Sequence, residues 1–152
     1  MPLTESEIHQ FQKSGYVVKA GVFTATDLQP FKKRIGQIVD EEVKGHFEKK
    51  HITNLYEEDG FETRLARIYA ESNETGQAIA GTIMGKGGGG FSDHEILDIL
   101  RHPPLVDCVS DLVGQDVVGS SVYRIRIKLP HYSAGEVPWH QDSGYFLAHC
   151  DK

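Results

Sequence analysis

The run Val137-Pro138-Trp139-His140-Gln141-Asp142-Ser143-Gly144 holds one imidazole and one carboxylate two positions apart. On an extended backbone, residues i and i+2 face the same way, so His140 and Asp142 can reach a common point. Two such ligands belong to the facial arrangement of two histidines and one carboxylate that binds Fe(II) on one side. The opposite positions of the metal then stay open for a bidentate oxoacid and for O2. A His-x-Asp triplet by itself is common by chance, so its weight comes from the elements around it.

Those elements change character along the chain. Residues 122–129 alternate, with Tyr123, Ile125, Ile127 and Leu129 on one face and Val122, Arg124, Arg126 and Lys128 on the other, which predicts a two-faced strand. Residues 130–135 supply a turn, and 136–142 are expected to be extended again, with Trp139 and Gln141 facing away from the ligands and packing in the sheet. The part before this reads as helices. Thr4 and Glu7 have capping-box spacing ahead of a short amphipathic helix ending near Gly15, and residues 16–19 read as a short strand. Thr26 is placed to cap a long helix with Leu28, Phe31, Ile35 and Ile38 on one face, Pro30 being tolerated in its first turn. A weaker helix over 61–69 turns Leu65 and Ile68 inward and leads to small residues and the glycine-rich stretch 85–90, where the chain is expected to be most flexible. Ser92 and Glu95 repeat the capping-box spacing, and Pro103-Pro104 ends that helix and starts another that stops at Gly114.

Composition bounds the rest. A chain of 152 residues can bury a core as one domain. Its 22 acidic against 16 basic residues give a net charge of −6, which excludes a generic nucleic-acid binder. Cys108 and Cys150 are the only cysteines; the first lies on an apolar stripe and reads as a buried thiol, so no disulfide framework is expected. The N-terminus has no secretory pattern and no apolar run approaches a membrane span, so no membrane partner and a cytoplasmic location are expected.

The stretches 123–130, 135–142 and 145–147, with the lead-in around Arg101-His102-Pro103 and Leu112-Val113-Gly114 and the opening Phe11-Gln12-Lys13-Ser14-Gly15-Tyr16, resemble the phytanoyl-CoA dioxygenase family. The resemblance implies an α+β chain in which N-terminal helices, about 1–114, lead into the first strands of a double-stranded β-helix of jelly-roll or cupin type, about 115–152. It implies Fe(II), 2-oxoglutarate and O2 as cofactor and cosubstrates, decarboxylation of 2-oxoglutarate to succinate and CO2, and hydroxylation of an unactivated C–H bond in a small-molecule substrate. It makes His140 and Asp142 the metal ligands, and puts Tyr123, Ile125 and Lys86 near the cosubstrate. The carboxylate of Asp142 also favours hydroxylation over halogenation, because halogenating relatives have a small residue there.

Relatives carry a second histidine several tens of residues later and an arginine beyond it that grips 2-oxoglutarate. This sequence ends before either, so the single domain 1–152 is expected to be an incomplete barrel, inactive alone, and open to self-association through its sheet edge. His149 is a poor substitute ligand, lying past a turn. Two other readings stay open: a cupin-like zinc or manganese enzyme using the same pair, and a non-catalytic half-barrel module. Other motifs carry less. The run Gly81-Thr82-Ile83-Met84-Gly85-Lys86 falls short of a phosphate loop, and His94 has Asp98 rather than a histidine four residues on. His46 and His51 are five apart at a charged helix end and are expected to point apart into solvent.

Overall fold

A computed structural model describes residues 2–85, 94–119, 125–131 and 137–140. Six helices follow one another among them: α1 (Glu5–Ser14), α2 (Ala25–Glu48), α3 (Arg64–Glu71), α4 (Asn73–Gly85), α5 (His94–Leu100) and α6 (Pro103–Val113).

The first helix starts as its sequence predicts. Thr4 Oγ1 accepts from the Glu7 amide, and the Glu7 carboxylate accepts from the Thr4 amide at 2.7 Å. Gly15 closes the helix with φ at 78°, a conformation open to a residue without Cβ. The long helix is capped two residues earlier than expected: Thr24, not Thr26, accepts from the Asp27 amide, and the Asp27 carboxylate accepts from the Thr24 amide at 2.7 Å. Those bonds from Thr24 hold the Asp27 carboxyl below its ordinary range.

The α2 helix is the spine of the core. Ile35, Ile38, Val39 and Val43 from its inner face meet Ile52, Ile68 of α3, Ile79 and Ile83 of α4, and Ile96 of α5. The α3–α4 pair is tight because Gly76 has no side chain: a Cβ there would lie 2.6 Å from Tyr69 Cα. That close approach explains a helix that the sequence pattern does not predict. A segment rich in small residues stays helical because Ile79, Ala80 and Ile83 are fully removed from water on its inner side. The same helix contains Gly81 and Gly85, so the incomplete phosphate-loop motif lies on regular backbone rather than in a loop. Most of the glycine-rich stretch that follows, including Lys86, lies outside the described residues.

The N-terminal segment is tied to the last helix. Leu3 donates its amide to Asp111 Oδ2 at 2.6 Å, and the His102 ring stacks on Phe23 with centroids 4.5 Å apart while His102 Nε2 lies 2.8 Å from the Val22 carbonyl. Cys108 is buried on α6.

The expected α+β class is not what the described residues form. They are helical with no strand, so neither 16–19 nor 125–129 is part of a sheet, and no double-stranded β-helix or open sheet edge is present among them. The physical reason is visible at 125–129. Ile125 and Ile127 pack against the helical core and Leu129 is buried, while Arg126 and Lys128 are exposed. The period of two therefore records one face lying on the helices. Alternation reports which side is buried; a strand also needs a neighbour with which to exchange backbone hydrogen bonds.

Candidate metal centre

His140 is exposed, at the end of the segment Val137-Pro138-Trp139-His140, beside a surface depression of about 470 Å³ lined by those four residues. Its Nδ1 lies 2.8 Å from the Pro138 carbonyl oxygen. A carbonyl only accepts, so Nδ1 donates its proton, and in the neutral ring the lone pair is then on Nε2. Ligating histidines are commonly set in this way, with one ring nitrogen donating to a backbone carbonyl and the other left to the metal. The donor chemistry at this position thus fits a metal such as Fe(II). Among the described residues no group of three histidine, cysteine or acidic side chains converges.

Asp142 lies outside the described residues, as do Tyr123, Lys86 and His149. Ile125 lies among the partly buried side chains that pack against the core cluster. Trp139, expected to pack in a sheet, is fully exposed, with Val137 half-exposed beside it. The indole beside His140 is therefore open to solvent.

A second cavity, of about 480 Å³, opens between α2, the residues leading into α3, and residues 127–130. Its floor is apolar, from Ile35, Val39, Leu65 and Ile83, and its rim is charged. Arg64 pairs with Asp40 and also donates to the Leu55 carbonyl at 3.1 and 2.9 Å, while Lys32 pairs with Glu62 and holds its carboxyl below the ordinary range. Asp59 Oδ2 is buried there with no hydrogen-bond partner among the described residues. The sequence pattern gives no sign of this grouping, because Asp40 on α2 and Arg64 at the start of α3 are 24 residues apart and meet only in the folded chain. No helix among the described residues is long and apolar enough to cross a membrane.

The chain matches the family model described as phytanoyl-CoA dioxygenase (PhyH) over residues 11–151, and it belongs to that family. The match runs from the last turn of α1 through α6 and across both His140 and Asp142. Neither a curated protein nor a solved structure matches the chain. The family is one of dioxygenases that generally use Fe(II) and 2-oxoglutarate.

Proposed function

We propose that this chain contributes the His140–Asp142 ligand pair of an Fe(II) and 2-oxoglutarate dependent dioxygenase that hydroxylates a small-molecule substrate. The observation that carries the reading is the family match over residues 11–151, which spans the one sequence feature suited to iron. The set tautomer of His140 supports it, since the lone pair sits on the ring nitrogen away from the Pro138 carbonyl.

In this reading the Pro138 carbonyl orients the imidazole and keeps the proton on Nδ1. The Asp142 carboxylate supplies a negative charge two residues away, offsetting the charge of the metal. Bound iron supplies the activation of O2 and a coordination site for the oxoacid. Tyr123 and Lys86 are proposed to meet the carboxylates of 2-oxoglutarate, with Ile125 as apolar neighbour. The exposed indole of Trp139 offers an apolar wall to a substrate entering beside His140.

The test is anaerobic Fe(II) binding by the protein, with and without 2-oxoglutarate, against the His140→Gln and Asp142→Asn variants. Binding of one equivalent by the parent that is weakened in both variants supports the reading. Equal affinity in all three, or none in the parent, would end it.

A further inference from the structure

The end of α2 contains a feature that neither the family nor the His140 region accounts for. The helix closes with a full Schellman motif: Lys50 has φ at 59°, its amide donates to the Phe47 carbonyl at 2.9 Å, and the His51 amide donates to the His46 carbonyl at 3.0 Å. In this motif the side chains three positions before the cap and two after it are thrown against each other, usually as an apolar pair. Here both are histidines. Their Nδ1 atoms lie 3.1 Å apart, with ring centroids 5.3 Å apart and planes tilted by 53°. The expectation that they point apart, drawn from helical spacing, fails because the left-handed residue between them folds the chain back.

We propose that His46 and His51 form a bidentate site for a late first-row divalent cation, Zn²⁺ or Cu²⁺ in class. A metal placed about 2.0–2.1 Å from each nitrogen would span the observed 3.1 Å gap with an angle of roughly 100°. That lies between the ~90° of an octahedral or square site and the ~109° of a tetrahedral one, so small ring rotations suffice. Without metal, one neutral ring must donate from Nδ1 to the other. On binding, that ring's proton moves through solvent to its Nε2, and both Nδ1 lone pairs face the cation with no net proton released. The site is built before any metal arrives, because Val43 and Ile52 are buried on either side and fix the backbone. It also sits at the carbonyl end of a 24-residue helix, where the helix dipole favours a cation. Among the described residues no third protein ligand joins, so water completes the coordination.

The test is titration of metal-free protein with Zn²⁺ by calorimetry, in the parent, His46→Gln, His51→Gln and the double variant. Cu²⁺ broadening of backbone amide signals then locates the ion. A chelate predicts that the parent binds one equivalent more than any of the three variants. Each single substitution should weaken that event about tenfold or more and as much as both together, because half a chelate is not half a site. Cu²⁺ should broaden residues around 46 and 51 in the parent and leave them sharp in the double variant. Lys50→Gly, which suits the left-handed position, should keep the event; Lys50→Val, which does not, should weaken it. Circular dichroism controls for folding, and the Lys50 pair decides the matter should either glutamine disturb the helix. Single variants that bind Zn²⁺ within about twofold of the parent, or losses that add independently, would overturn the proposal.

Discussion

Adding one methyl group at Gly76 should lower stability where helix propensity alone says it should raise it. In an exposed helix interior, glycine to alanine gains about 0.5–1 kcal/mol. At Gly76, however, the new Cβ would lie 2.6 Å from both Cα and Cβ of Tyr69 and 2.8 Å from its Cδ2. Two of those atoms sit at the backbone, so α3 and α4 must separate rather than a side chain rotate. Overpacking of this kind costs about 1–3 kcal/mol, leaving Gly76→Ala destabilised by roughly 1 kcal/mol net and by up to about 2.5 kcal/mol. Gly81 lies in the same helix, and a Cβ added there would have nothing within 4 Å, so Gly81→Ala should gain the full propensity term of about 0.5–1 kcal/mol. The two variants, identical in chemistry, should differ by the overpacking cost alone, about 1–3 kcal/mol, in urea unfolding at unchanged slope. A Gly76→Ala protein as stable as Gly81→Ala would refute the close approach of α3 to α4, and with it the reason given for α4 being a helix.

Two further outcomes follow from the packing and capping. Ile68 is fully buried at the centre of the α2–α3–α4 core, so Ile68→Ala should cost about 3–4 kcal/mol and lower the thermal midpoint by roughly 10 °C, measured by circular dichroism. The Glu7 carboxyl is pulled from its ordinary 4.5 to about 2, first by the Lys19 ammonium and then by the Thr4 cap. A depressed acid stabilises the fold above its unfolded value and loses that contribution as the pH falls toward the folded one. The difference in unfolding midpoint between parent and Glu7→Gln should therefore be full above about pH 4.5 and vanish near pH 2; a difference that persists unchanged at pH 2 would contradict the assignment.

What the sequence discloses divides along a physical line. Local signals are legible: the Thr4–Glu7 box, the apolar stripe Phe31–Ile35–Ile38, the Pro103 start of α6 and its stop at Gly114 all depend on neighbours within a few residues. What depends on distant partners is not. The helix α4 needs Tyr69 and the α2 face to justify its glycines, and the meeting of His46 with His51 needs a left-handed Lys50 that nothing in the residue type announces. The alternation over 125–129 marks one buried face correctly but does not make a sheet, because burial and strand pairing are separate requirements. Of the proposed site, the structure adds the Nδ1 contact of His140 with the Pro138 carbonyl, which residue types alone do not specify, and Asp142 lies outside the described residues.

Equilibrium binding of Fe(II) under anaerobic conditions, in a His46→Gln background so that the α2 pair does not contribute, asks whether His140 and Asp142 hold the metal. Binding that weakens about tenfold or more in both His140→Gln and Asp142→Asn, and that tightens when 2-oxoglutarate is added to the unsubstituted ligand pair, is the predicted result. Fe(II) affinity unchanged by either substitution would contradict it.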